Sequence, residues 1–282
     1  MAEILAETQP DRTAVTAAQA EPIPWPPGTV VRDIARGGFA GILVGVFVAG
    51  LGGRLVMRLA TILHEDTVGR LTEANEVIGR ISFNGTMALI TFGGLGMGLM
   101  AGVIWVIVGP WMPGKGLLRA LIAGLAAVAL GTPSLVQRFN PDFTILKHDP
   151  AVVALLLGLV FSVGFAMAMV DGSLDRRLPP ASSNAGKATG VYVMVTLLGL
   201  VLILPLVVAG LLNEPDYRAT VRMGWGLAVV GICTLVSWRF RTQRRPDRPR
   251  GLLVLARGAL LVTIVLGVVT SLPHVLAAVG VP

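Results

Sequence analysis

The stretch Ala151–Val170 runs for 20 residues without one charged side chain, and this feature fixes the class of the chain. An apolar run of about 18 residues or more is long enough to cross the hydrocarbon core of a bilayer as a helix. The remaining sequence agrees with that reading. Only 14% of its 282 residues are charged and 54% are hydrophobic, whereas soluble domains carry about 25% charged residues. A disulfide scaffold is excluded, because the single cysteine, Cys233, lies inside an apolar run.

Seven runs qualify, at about Gly37–Ala60, Met87–Val108, Gly116–Leu135, Ala151–Val170, Gly190–Leu212, Val221–Trp238 and Leu253–Val279. The expected fold is therefore all-α: a polytopic membrane protein, a bundle of seven transmembrane helices with short loops, over residues 37–280. The sixth run is short, and it crosses only if Arg222 and Arg239 extend toward the two interfaces. Pro205 and Pro273 fall within runs, where proline kinks or breaks a helix. Residues 1–36 read as a proline-containing cytoplasmic tail, with Pro22, Pro24, Pro26 and Pro27 flanking Trp25 in an extended segment. No apolar core of a secretory signal occurs there.

Charge sets the orientation. With seven crossings, the N-terminus and alternate loops hold 15 of the 23 basic residues, against 8 on the other side. The 16 acidic residues divide equally, so the whole net charge of +7 falls on one side. Basic loops stay in the cytoplasm. The expected location is the plasma (inner) membrane, with the N-terminus inside and the C-terminus outside. The run Arg239–Arg250 is broken by Pro246 and Pro249 and has no interleaved aromatic residue after Phe240. It reads as a cytoplasmic anchor against anionic lipid and not as a nucleic-acid site.

Small residues recur every four positions in the first run, at Gly37, Gly41, Gly45, Ala49 and Gly53, and in the second at Gly94, Gly98 and Gly102. This spacing lets another backbone approach closely. It predicts a tight contact between these two helices, or with a protein partner or second copy of the chain.

Chemistry is sparse. No Asp or Glu falls within the body of a run, and Asp171, the nearest, reads as an interfacial residue at the cytoplasmic end of the fourth. Ion-coupled carriers usually need an ionisable group near the midplane. Arg54 and Arg58 share one face of the first helix, toward its outer end, and read as headgroup contacts or as an anion site. His64, Asp66, His148 and His274 gather toward the same side as candidate metal ligands, but none of their spacings is a ligand signature such as HExxH. No catalytic residue and no cofactor is named by any motif. Three functional readings follow: a non-catalytic subunit or scaffold of a larger membrane assembly, an uncoupled transporter or channel for a small solute or anion, and a metal-dependent hydrolase with an outer-face site.

Overall fold

The computed structural model describes residues 26–65, 68–70, 82–135, 149–179, 189–197, 199, 201, 217–242 and 249–280. Regular structure among them is helical throughout. The helices are α1 (Pro26–Val44), α2 (Leu51–Leu63), α3 (Phe83–Ala88), α4 (Met97–Val108), α5 (Gly116–Leu135), α6 (Pro150–Arg177), α7 (Tyr217–Thr242) and α8 (Arg250–Ala278). A π-helical segment, Gly45–Gly50, joins α1 to α2, and a second, Leu89–Gly96, joins α3 to α4. Six rods result that are long and apolar enough to cross a membrane.

The first rod starts at Pro26, eleven residues before the expected Gly37. A proline-rich entry suggested extended chain, but prolines fit the first helical turn, where the missing N–H has no partner to lose. Residues 26–36 are therefore helix and not tail, and they carry Thr29, Arg32, Asp33 and Arg36 on a rigid element. At the other end of the bundle, Asp149 starts α6: its Oδ1 accepts from the Ala151 N–H at 2.7 Å, with Pro150 next in line. Helix α6 then outlasts its charge-free run by two turns, to Arg177. Asp171 is consequently a buried residue, 2% exposed, inside the helix and not at its end. Helix α8 continues through Pro273 to Ala278. Ser82 caps α3, its Oγ accepting from the Gly85 N–H at 3.0 Å. Of the fifth expected span, residues 190–197, 199 and 201 are helical, and Pro205 lies outside the described residues.

The glycine stripes meet each other within the chain. A Cβ on Gly41 would strike the Gly98 carbonyl, and one on Gly45 would strike that of Gly94. Gly37 and Gly102 face each other in the same seam. Past Gly45 the fourfold spacing fails. The π segment adds a residue to the turn, so Gly50, not Ala49, comes next, with its added Cβ 3.2 Å from Ile90 Cα. Gly53 has moved off the seam, toward Leu159 and Leu89 side chains.

The first four rods alternate in direction, α7 runs the same way as α6, and α8 runs opposite to both. One end of the bundle gathers the start of α1, the ends of α4, α6 and α7, and the starts of α5 and α8; it is called here the arginine end. The opposite, histidine end gathers the end of α2 and the starts of α3 and α6, with Ala278 of α8 packed on Val153. Between them lies a core of Ala40, Val44, Val108, Ala120, Ala123, Ala126, Met167, Val230 and Leu260. Large apolar side chains cover the outside, as on α5, where Leu117, Leu121 and Leu125 are 62%, 41% and 64% exposed. Such a surface is unfavourable in water and suits a lipid environment.

Candidate functional site

Charge concentrates at the arginine end. Arg32 and Arg36 stand four apart on α1, so both point from one helix face. Asp171 and Asp175 stand four apart on the last turns of α6. The two pairs interlock. Arg36 Nε donates to Asp171 Oδ1 at 2.6 Å, and Arg36 also reaches Asp175. Arg32 donates to Asp175 Oδ1 at 2.9 Å and to the carbonyls of Asp175, Leu178 and Pro179 at 2.8, 3.0 and 3.1 Å. Those carbonyls belong to a helix C-terminus, where no further N–H follows and the helix dipole favours a cation. Arg32 is thus both ion-pair partner and cap of α6.

Further arginines do similar work. Arg119 of α5 donates to the Gly109 carbonyl at 2.8 Å, just past the end of α4, and its guanidinium lies 5.1 Å from the Trp105 ring. Arg257 of α8 donates to the Trp111 carbonyl at 3.3 Å. Arg241, in the last turn of α7, donates to Asp33 Oδ2 at 2.9 Å. Tyr192, 2% exposed, packs on Ala35 and donates its hydroxyl to the Pro179 carbonyl at 2.9 Å. Below this layer Trp111 Nε1 donates to Thr234 Oγ1 at 2.9 Å, and the Thr234 hydroxyl reaches the Ile107 carbonyl at 2.8 Å.

Part of this charged layer lines a cavity of about 710 Å³. Its wall takes Arg32, Asp33 and Arg36 from α1, Trp105 and Val106 from α4, and Arg119 from α5. Asp171, Asp175 and Arg176 come from α6, with Trp238 and Arg241 from α7. Five arginines face three aspartates, which leaves the lining with two positive charges in excess. Two donors on this wall, Arg119 Nε and Trp238 Nε1, are buried without an acceptor among the described residues. An unsatisfied buried donor costs about 1–3 kcal/mol.

The sites expected from the sequence fare differently. Arg54 is partly buried and its Nη2 reaches the Ser82 carbonyl at 3.5 Å, while its Nε is buried without an acceptor among the described residues. Arg58, one turn on, is exposed. His64 Nε2 lies 2.8 Å from Asp149 Oδ2. The Nδ1 of His274 is buried without a partner among the described residues. Asp66 and His148 lie outside the described residues, among which no group of three His, Cys, Asp or Glu is placed to hold a metal ion. The sequence alone does not reveal the arginine–aspartate cluster, because in it Asp171 reads as a helix end and residues 26–36 as tail. Its signal was present: two basic residues four apart entering one helix, and two acidic residues four apart leaving another.

No protein-family model, no curated protein and no solved structure matches the chain.

Proposed function

We propose that the protein is a non-catalytic subunit or scaffold of a larger assembly in the plasma (inner) membrane. It crosses seven times, with the N-terminus in the cytoplasm and the C-terminus outside. Residues 189–197 begin at the arginine end, where α6 finishes, and α7 runs back toward that same end. A further crossing at about residues 190–212 reconciles the two directions. The excess of Lys and Arg on one side supports placing the arginine end inside.

One observation carries the scaffold reading: the first rod is fastened to α6 at both ends. Arg32 and Arg36 hold the last turns of α6, and His64 holds Asp149 at its start. Alternating access works by rocking one group of helices against another around a central site. Here such motion would break polar contacts at both ends of the same helix pair, so the geometry favours a fixed shape over a carrier cycle. The seam glycines of the first two rods are already covered by each other, which leaves the outward apolar faces for lipid and for a protein partner or second copy. Arg32, Arg36, Arg119, Arg241 and Arg257 are engaged with aspartates and helix carbonyls, an arrangement unlike a nucleic-acid surface.

Native mass spectrometry after gentle detergent extraction from the source membrane tests the proposal. Companion polypeptides that survive a high-salt wash are the expected result. Recovery of a bare monomer under every extraction condition, or solute flux through vesicles holding the pure chain, would overturn it.

A further inference from the structure

The cavity at the arginine end has more positive charge than its own aspartates neutralise, and it keeps two buried donors without acceptors among the described residues. Among the described residues Asp171 is the only carboxylate paired with Arg119, at 4.0 Å, and its shorter contact goes to Arg36. Arg119 donates through Nη2 to the Gly109 carbonyl, and its Nε is left with no acceptor among the described residues. Trp238 Nε1 is in the same condition on the same wall. Buried donors are normally paired, so both point to a missing acceptor that carries negative charge. A carboxylate would meet the charge requirement, but the volume, about 710 Å³, accommodates an oxyanion with a substantial organic substituent. A phosphate ester offers several acceptor oxygens to donors arriving from different helices, and arginine is well suited to it.

We propose that this cavity binds a phosphate ester, with Arg119 Nε and Trp238 Nε1 donating to its oxygens and Arg36 and Arg241 supplying the surrounding positive charge. The inference is independent of whether the chain serves an assembly. The ester comes either from an anionic lipid headgroup entering at the membrane interface or from a soluble metabolite, and the two sources share this chemistry.

The test is tryptophan fluorescence of the full-length chain in detergent, titrated separately with inorganic phosphate, glycerol phosphate and dihexanoyl phosphatidylglycerol. Saturable binding of at least one of the three is expected, at an affinity weakened about tenfold by Arg119→Gln. Trp238→Phe keeps the ring, and hence the packing, while removing only the N–H; it should weaken binding several-fold. The exposed Arg58→Gln at the opposite end should leave binding unchanged. Preference for the phosphatidyl compound over glycerol phosphate would assign the site to a lipid headgroup, and the reverse to a soluble ester. No binding of any of the three probes, or wild-type affinity in folded Trp238→Phe and Arg119→Gln, would overturn the proposal.

Discussion

Arg36 Nε and Asp171 Oδ1 are 2.6 Å apart, in a contact where the carboxylate side chain is only 3% exposed. The pair fixes the entry of the first rod against the exit of α6, and it differs from its neighbour in burial. Asp175, which also accepts from Arg32 and Arg36, is 52% exposed. Removing one partner of a buried ion pair strands the other charge, at a cost of about 3–5 kcal/mol, whereas exposed pairs contribute about 0–1 kcal/mol. Asp171→Ala should therefore lower the thermal midpoint in detergent far more than Asp175→Ala. Equal shifts for the two variants would show that the buried contact is not the stronger clasp.

The seam between the first two rods makes a sharper prediction. A Cβ on Gly98 would meet the Gly41 carbonyl and stand 2.5 Å from Gly45 Cα. Both obstacles are backbone, so no side-chain rotation relieves them and the rods must separate. Gly98→Ala should destabilise the bundle by about 2 kcal/mol or more, in the range seen for overpacking. Gly158 on α6 has nothing within 4 Å of its added Cβ. Gly158→Ala should be neutral or stabilising by about 0.4–1 kcal/mol, since a helical glycine mainly adds freedom to the unfolded chain. Thermal unfolding of the two variants side by side checks both signs.

What the sequence revealed follows from which interactions are periodic. Charge-free runs locate the helices because the bilayer demands length and apolarity from each segment separately. The fourfold glycine spacing identifies the seam residues Gly37, Gly41 and Gly45 for the same reason, since helical geometry is local. It misassigns Ala49 and Gly53, because the π segments change the phase of the helix and nothing in the composition announces them. The arginine–aspartate cavity depends on residues far apart in sequence, such as Arg36 and Asp171, separated by 135 positions. Their juxtaposition comes from rod directions and crossing geometry, which one sequence does not encode in any local pattern. Its two i,i+4 charge pairs were visible, but their partnership was not.

Asp149 has two tasks, and substitutions separate them. Its Oδ1 caps α6 at the Ala151 N–H, and its Oδ2 meets His64 Nε2. Asp149→Asn retains a capping carbonyl oxygen and should cost less than Asp149→Ala, which loses about 1 kcal/mol for the cap and a similar amount for the hydrogen bond. Repeating both substitutions in a His64→Ala background isolates the clasp. If the His64 contact is energetically real, the Asp149→Ala penalty shrinks there by about 1 kcal/mol. An undiminished penalty would leave the cap as the only function of Asp149, and the two-ended fastening would lose one end.

Orientation can be read with a membrane-impermeant maleimide, because the chain has one cysteine and it is buried. Cys233 is 2% exposed, so it should stay unlabelled in the folded protein and leave a silent background. Lys115, beside the start of α5 at the arginine end, and Gly280, past α8 at the histidine end, are both exposed. Lys115→Cys should react only after the cells are permeabilised, and Gly280→Cys should react in intact cells. The asymmetry rests on the proposed orientation, in which basic residues are retained on the cytoplasmic side, since Arg32, Arg36, Arg119 and Arg241 share the arginine end with the Lys115 turn. Labelling of Lys115→Cys from outside would invert the bundle. The proposed ester cavity would then face away from the cytoplasm, and its ligand would have to be sought among molecules of the outer compartment.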